Sequence, residues 1–300
     1  MSAGTAGTSG TGTAGAPGSA RTAGAAVRFV ATDDGARLAT SVFLPQEGPS
    51  RVTVVLAHGW AAARPMWRPV AERLVRQGHA VVTYDQRGHG ASTLGREPIG
   101  VRRLAEDLAT VLSAAPPGGD AEDVVVAGHS GGGFAAMAYA AADPERAAAR
   151  LRGLVLLGTA AHGQDTPDGE VKMMGNPLFG WALKRPALGR LLLRQTMAPG
   201  APKAAAEANR RMFADLPGEV RAACFACSRG MDLRRELASV TVPALVLAGD
   251  ADKIIDPELG EAVAAALPYA RFERVPGAGH TLPLEAPGRI VMAVTELADR

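Results

Sequence analysis

The sequence predicts an α/β fold: a mostly parallel sheet of roughly eight strands with helices on both faces and a helical cap. Short runs rich in β-branched residues alternate with segments of helical apolar spacing over most of the chain. The alternation stops between about residues 162 and 237, where helix-like segments follow one another, and then it resumes. A helical stretch inserted between two strands predicts a cap over one end of the sheet.

The same pattern divides the chain into four parts. Residues 1–25 are Gly, Ala, Thr and Ser repeats with little to bury, so we expect a disordered tail. Residues 26–161 and 238–300 are the expected two parts of the core, and residues 162–237 are the expected cap.

The individual elements follow from turn signals and apolar spacing. Asp33-Asp34-Gly35 predicts a hairpin turn, Gly78 the end of a helix, and Pro116-Pro117-Gly118-Gly119 a helix break. The predicted strands are 27–32, 37–44, 52–57, 80–84, 124–126, 151–157, 242–248 and 270–275. The predicted helices are 65–77, 98–115, 134–141, 177–197, 202–216, 219–237, 257–267 and 287–297.

The composition is that of a soluble globular protein. Apolar residues make up 47% of the 300 residues, and the net charge of +2 favours neither a nucleic acid nor an anionic membrane as partner. No apolar run is long enough to span a membrane, and the N-terminal residues do not resemble a secretory signal, so we expect a cytoplasmic protein. We expect Cys224 and Cys227 to be buried free thiols.

One stretch carries a nucleophile motif. Val124-Val125-Val126 suits a buried strand, Gly128-His129-Ser130-Gly131-Gly132 matches G-x-S-x-G, and helix-forming residues follow. Strand, sharp turn and helix are the context in which this motif exposes a serine hydroxyl above a sheet. We expect Gly128 and Gly132 at points where a side chain would separate strand and helix, with the His129 side chain directed elsewhere.

A serine nucleophile needs a base and an acid that orients the base. His280 follows the last predicted strand in a Gly-rich loop and is the candidate base. Asp252 follows an earlier strand and is the preferred acid, with Asp250 as its rival because one of the two is expected to serve the turn. The chain order Ser130, Asp252, His280 is the one expected on a hydrolase sheet of this type.

An oxyanion formed at Ser130 also needs hydrogen-bond donors. The N–H of Gly131, at a helix N-terminus, is one candidate. The loop after the third strand reads His58-Gly59-Trp60, and the N–H of Trp60 is the expected second donor, with His58 and Gly59 shaping the turn.

Four features together resemble the α/β-hydrolase superfamily, in its capped, single-domain serine hydrolase branch. They are His58-Gly59-Trp60, Asp85-x-Arg87-Gly88-x-Gly90-x-Ser92, Gly128-His129-Ser130-Gly131-Gly132, and the segment 243–252 with Gly279-His280. The resemblance covers about residues 26–300. Many relatives carry a larger residue such as Met at the position of Gly131, so we expect a roomier and more flexible pocket floor here.

The expected function is a serine hydrolase of esterase or lipase type that cleaves an ester of a small or medium apolar substrate through an acyl-enzyme. A cofactor-free haloperoxidase or perhydrolase, a lactonase or a C–C bond hydrolase would use the same triad, and a non-catalytic ligand-binding protein is a further alternative. No cofactor or metal motif is present. One apolar set in the cap suits either an acyl pocket or the cap's own core: Met173, Met174, Leu178, Phe179, Trp181, Leu183 and Leu188.

Overall fold

The computed structural model describes residues 1, 26–116, 123–163 and 166–300, and within them one eight-stranded sheet. Its strands are β1 (Val27–Ala31), β2 (Arg37–Phe43), β3 (Thr53–Ala57), β4 (Ala80–Tyr84), β5 (Val124–His129), β6 (Leu151–Leu157), β7 (Ala244–Gly249) and β8 (Ala270–Val275). The strand order is β1-β2-β4-β3-β5-β6-β7-β8. Strand β2 pairs antiparallel with β1 and β4, and the other pairs are parallel, so the predicted sheet is confirmed.

Two sequence predictions fall outside the described residues. They are residues 2–25 of the expected tail and residues 117–119 of the expected helix break.

The described residues also contain twelve α-helices. They are α1 (Arg68–Arg76), α2 (Val101–Ala114), α3 (Gly131–Ala142), α4 (Pro144–Arg150), α5 (Asp168–Gly175), α6 (Pro177–Leu183), α7 (Pro186–Leu192), α8 (Lys203–Asp215), α9 (Gly218–Ala226), α10 (Pro257–Ala266), α11 (Leu282–Glu285) and α12 (Pro287–Ala298). Short 3₁₀ turns lie at Arg64–Trp67, Arg194–Thr196 and Glu236–Ser239.

Side chains of the central strands alternate between two apolar cores, because successive residues of a strand face opposite sides of a sheet. In β3, Val54 and Leu56 pack into one core with α1 and α12, whereas Val55 and Ala57 pack into the other with α2, α3 and α10. Burial on both faces explains the continuous apolar runs of the parallel strands.

Residues 162–237 lie between β6 and β7 and are called the helical insert below. Helices α5, α6, α8 and α9 share a small apolar core that includes Leu183, Phe213 and Val220. The predicted helix 177–197 is wrong in extent, because Pro186 lacks an N–H and holds Arg185 in an extended conformation, which separates α6 from α7. The predicted helix 219–237 is also too long, because α9 ends at Ala226.

The topology brings the carboxyl ends of the parallel strands to one edge of the sheet. Four of the loops that leave this edge contain candidate site residues: Trp60 after β3, Ser130 after β5, Asp252 after β7 and His280 after β8. Because ligands of open α/β sheets bind at this edge, the arrangement defines where a site is to be sought.

Candidate active site

Ser130 joins β5 directly to α3 in a backbone conformation that side chains rarely adopt, with φ 50° and ψ −117°. Such a conformation costs about 1–3 kcal/mol and persists only where neighbouring groups hold it. The Ser130 N–H donates to the Leu157 carbonyl at 2.8 Å, and the Thr159 hydroxyl donates to the Ser130 carbonyl at 3.0 Å. The turn is therefore fixed by β6, the neighbouring strand.

Two glycines allow the strand and the helix to meet at this turn. A Cβ atom at Gly128 would lie 2.5 Å from the Gly132 carbonyl oxygen, and one at Gly132 would lie 2.3 Å from the Ala57 carbonyl oxygen. Both distances are far below contact, so each position requires glycine for packing alone.

His280 and Asp252 form a hydrogen-bonded pair beside this turn. His280 Nδ1 lies 2.8 Å from Asp252 Oδ2, and the N–H groups of Ile254 and Ile255 donate to Asp252 Oδ1 at 2.8 and 3.0 Å. Burial of the Asp252 carboxyl opposes its ionisation, but His280 and the two N–H groups outweigh burial and hold the pKa below its usual value. An ionised Asp252 fixes the proton of His280 on Nδ1, which leaves a lone pair on Nε2.

Asp250, the rival acid, has a different partner. Its Oδ1 accepts a hydrogen bond from the Gly277 N–H at 2.8 Å, and its side chain is exposed. It therefore ties the loop after β7 to the turn after β8, as an aspartate in a turn commonly does.

Ser130 Oγ and His280 Nε2 are the two atoms that a nucleophile and its base would use. In the part of the chain that the structure describes, neither atom makes a hydrogen bond, although both residues are mostly buried. Catalytic hydrogen bonds are often long in free enzymes and tighten when substrate binds. Both atoms are therefore free to bind a reacting group.

The N–H groups of Trp60 and Gly131 are also available. Neither donates a hydrogen bond to any atom of the described ranges. A Cβ at Gly59 would lie 2.9 Å from Ser130 Cβ, so the glycine lets the Trp60 loop approach the serine closely. Two backbone N–H groups without an acceptor among the described residues therefore belong to residues that neighbour Ser130 in the chain or across the Gly59 contact.

Two buried histidines hold the Trp60 loop in place. His58 Nε2 accepts the Gln86 N–H at 2.9 Å, and His89 Nε2 accepts the Ala61 N–H at 3.2 Å. Burial lowers the pKa of His58, and it lowers the pKa of His89 to about 3, so both rings stay neutral and can accept. The structure thus gives His58 and His89 a structural function in this loop.

The loop after β4 is fixed by buried ion pairs. The Arg87 guanidinium lies 2.9 Å from an Asp34 oxygen and 2.7 Å from an Asp107 oxygen, and Arg64 pairs with Asp85 at 2.9 Å. These contacts give the Asp85-x-Arg87 motif a structural function in this loop.

Sequence reasoning missed two residues that position His280. His129 Nε2 lies 2.8 Å from the His280 carbonyl oxygen, and burial lowers the pKa of His129 to about 3, so the neutral ring donates there. Glu285 accepts the N–H groups of Gly279 and Thr281 at 3.0 and 2.9 Å, on both sides of His280. An acidic residue in the short helix after a candidate base loop is the signal that could have found Glu285.

The expectation of a roomy floor at Gly131 is wrong. A Cβ at Gly131 would lie 2.3 Å from the indole Nε1 of Trp60, whose ring packs edge-on against Phe134 with centroids 5.4 Å apart. The space beside Gly131 is filled by the tryptophan ring. The Trp60 indole N–H is itself buried and unpartnered among the described residues.

The helical insert packs against the loops of the site. The Ala198 N–H donates to Glu285 at 2.8 Å, Cys224 Sγ lies 3.8 Å from His89 Nε2, and the Phe225 ring lies 5.8 Å from the ring of Trp60. The two cysteines are free thiols, Cys224 buried and Cys227 partly buried. The insert therefore contacts the Trp60 loop and the His280 loop together.

The apolar residues of the insert separate into two groups. Met174 and Leu183 belong to its small core, whereas Met173, Leu178, Trp181 and Leu188 face solvent. Phe179 is partly buried and packs against the same core, so the interpretation as a core holds for Met174, Phe179 and Leu183 and not for the exposed group.

The fold and the comparisons with known proteins define a hydrolase of the α/β-hydrolase superfamily. Solved structures with this fold include a hydrolase from Pseudomonas aeruginosa, with a TM-score of 0.74 and 28% identity over 91% of this chain and 98% of that one. A thermophilic esterase from Thermogutta terrifontis has a TM-score of 0.71 and 26% identity, covering 91% and 97% of the two chains.

The chain belongs to the serine aminopeptidase S33 family, whose model matches residues 48–287. A pimeloyl-[acyl-carrier protein] methyl ester esterase of Xanthomonas oryzae is 31% identical over 242 residues, which are 76% of this chain and 87% of the relative. A monoacylglycerol lipase of Mycolicibacterium smegmatis is 30% identical over 240 residues, which are 74% and 77% of the two chains.

The described residues contain no group of three His, Cys, Asp or Glu side chains placed to hold a metal ion. No helix within the same ranges has both the length and the apolar character needed to cross a bilayer.

Proposed function

We propose that the protein cleaves an ester bond of a small or medium apolar substrate through an acyl-enzyme on Ser130. The observation that carries the proposal is the Asp252–His280 pair, joined at 2.8 Å, beside a serine held in a strained strand-to-helix turn. The esterase and lipase names of the two relatives support an ester as the substrate class.

The reaction follows from the atoms available. Ser130 Oγ attacks the ester carbonyl as His280 Nε2 accepts its proton, and Asp252 stabilises the imidazolium that forms. The N–H groups of Trp60 and Gly131 bind the oxyanion, each worth roughly 10²- to 10³-fold in rate. The tetrahedral intermediate expels the alkoxide, which takes the proton from His280 and leaves as the alcohol. Water, deprotonated by His280, then attacks the acyl-enzyme and releases the acid and free Ser130.

The helical insert, residues 162–237, acts in this proposal as a cap that excludes water from the reaction. Its contacts with the Trp60 and His280 loops support this function. Free thiols at Cys224 and Cys227 support a reducing compartment, the cytoplasm, as the place of action.

The test compares the wild-type protein with Ser130→Ala on p-nitrophenyl esters of increasing acyl length. Ser130→Ala is expected to lower kcat by roughly 10⁴-fold or more, and a fluorophosphonate probe should label the wild type at Ser130. Ser113→Ala, on the exposed side of α2, is the matched control and should retain activity. Equal hydrolysis by wild type and Ser130→Ala, or labelling of another residue, would overturn the proposal. Amino-acid p-nitroanilides, lactones, diketones and peroxide-dependent bromination in acetate complete the substrate panel.

A further inference from the structure

The outer side of the helical insert exposes large apolar side chains. Leu178, Trp181 and Leu191 are 76%, 53% and 54% exposed, and Leu188 and Leu192 are exposed beside them. These five residues are called the apolar face of α6 and α7. Soluble proteins expose single apolar residues commonly, but contiguous apolar patches usually mark an interaction site.

The large apolar residues of the two helices follow the helical period. Leu178 and Trp181 are three residues apart in α6, and Leu188, Leu191 and Leu192 are spaced by three and four in α7, so each set lies on one side of its helix. Gly189 is the one buried residue of α7, and a Cβ there would lie 2.5 Å from the Leu183 carbonyl oxygen. Apolar residues thus lie on the outward side of both helices, where an ordinary surface helix has polar ones.

The chain segment that contains the apolar face is rich in basic residues. The segment from Val171 to Ala206 contains six basic residues and no acidic residue, although the whole chain has a net charge of only +2. The basic residues are Lys172, Lys184, Arg185, Arg190, Arg194 and Lys203. This segment therefore has a local excess of positive charge that the net charge of the whole chain does not show, and such an excess favours binding to an anionic partner.

Neighbouring acidic groups do not cancel this excess. Glu207 is bound by Arg190 at 3.0 Å and by two arginines of its own helix, and Asp168 pairs with Arg229 at 2.9 Å. The Arg185 guanidinium stacks on the Trp181 ring, 4.6 Å from its centroid, so charge and apolar surface meet at one point.

We infer that the apolar face of α6 and α7 binds peripherally to an anionic lipid surface. The two helices lie in the plane of the interface, with leucine and tryptophan side chains among the acyl chains and lysine and arginine at the phosphates. This binding is separate from catalysis and does not depend on the proposed ester hydrolysis.

Two other occupants fit the observations less well. A second copy of the chain in a two-fold dimer would place this face against itself, and its basic residues would repel one another. An acidic protein would use the charges but would not require leucines that protrude as far as Leu178 does. An anionic bilayer uses both the charges and the apolar side chains.

The test measures co-sedimentation of the full-length protein with phosphatidylcholine vesicles, with or without about one third phosphatidylglycerol to supply negative charge. Trp181 is an internal reporter, because Trp67 is fully buried and Trp60 is half-buried. Insertion should shift tryptophan emission to the blue, and brominated lipid should quench it. Ser130→Ala protein should bind as the wild type does, which separates this binding from hydrolysis.

Variants separate the apolar contribution from the electrostatic one. Leu178→Ser with Leu191→Ser should weaken partitioning by roughly tenfold or more, because two apolar side chains no longer insert. Lys184→Gln with Arg185→Gln should weaken it by about fivefold for each charge removed. Tyr269→Ser is the matched control, because Tyr269 is also exposed but lies at the amino end of β8, whereas the helical insert follows the carboxyl end of β6. The Tyr269→Ser variant should bind vesicles as the wild type does.

The outcomes distinguish the possible occupants. Binding that needs phosphatidylglycerol, weakens in salt and is lost in the leucine variant supports the inference. Equal binding by all variants, or no binding to either vesicle, overturns it. Loss only in the charge variant overturns insertion, because the protein would then adsorb to the headgroups by charge alone. Dimerisation that the leucine variant abolishes also overturns the inference and indicates a second copy as the occupant.

Discussion

The indole Nε1 of Trp60 occupies the space in which a side chain at Gly131 would lie, since a Cβ there would be only 2.3 Å away. The ring cannot move aside easily, because it packs between Phe134 and Phe225 with centroids 5.4 and 5.8 Å away. Trp60 and Gly131 also carry the two backbone N–H groups without an acceptor in the described part of the chain that neighbour Ser130. Trp60 and Gly131, the two proposed oxyanion donors, are therefore packed against each other.

Gly131→Ala tests this packing. The new methyl group must displace the Trp60 ring, so we expect a loss of stability of about 1–3 kcal/mol and a fall in kcat. Urea unfolding and ester hydrolysis measure the two effects. Trp60→Leu combined with Gly131→Ala should be less destabilised than the sum of the single variants. Additive effects would show that the two side chains do not compete for this space.

Asp252→Asn should lower kcat by roughly 10⁴-fold, because an amide no longer holds the His280 proton on Nδ1. The measurement is steady-state hydrolysis of a p-nitrophenyl ester. Asp250→Asn is the matched control, because Asp250 binds the Gly277 N–H instead, and its activity should stay close to that of the wild type. A larger loss of kcat in Asp250→Asn than in Asp252→Asn would identify Asp250 as the acid.

Glu285→Ala removes the acceptor of three backbone N–H groups, those of Ala198, Gly279 and Thr281. Glu285 is a positioning residue, and a shift of about 1 Å in His280 should lower kcat by about 10²-fold with a smaller change in KM. Glu285→Gln retains one acceptor oxygen and should recover part of kcat. Glu296→Ala, an exposed glutamate of α12, is the control. An unchanged kcat in Glu285→Ala would refute the positioning function.

Stability should fall as the pH drops from about 6.5 towards 5. Burial lowers the pKa of His89 and His129 to about 3 in the folded protein, whereas the unfolded chain titrates near 6.5. Above pH 6.5 both states are neutral; below it, the unfolded state binds protons that the folded state does not. Each of these histidines then lowers the free energy of unfolding by about 2 kcal/mol at pH 5.

Urea unfolding at pH 8, 6.5 and 5 measures this dependence. His58 and His79 contribute with the same sign, because burial also lowers their pKa values. The window lies above the titration of the paired carboxylates, such as that of Asp252, whose contribution is lost only at lower pH. His129→Asn should flatten the slope of stability against pH, whatever its effect on stability at pH 8. An equal slope in both proteins would mean that His129 takes up its proton in the folded state.

The sequence predicted the sheet and the positions of the candidate site residues because both depend on local patterns. Continuous apolar runs and turn signals mark β3 to β8, and the loop after a parallel strand always leaves the same edge of a sheet. The helices of the insert were predicted less well. Their short lengths depend on prolines such as Pro186 and on packing against the core, which override the helical propensity of the flanking residues.

Local sequence patterns were enough to predict the fold class and the residue types available to the site: a serine in a glycine elbow, followed in order by an acid and a histidine. Four features could be seen only in the folded protein: which aspartate binds His280, how Trp60 fills the space beside Gly131, how Glu285 holds the His280 loop, and which apolar residues of α6 and α7 are exposed. These are contacts between residues far apart in the chain. Their geometry depends on side-chain packing across several elements, which a local pattern does not encode.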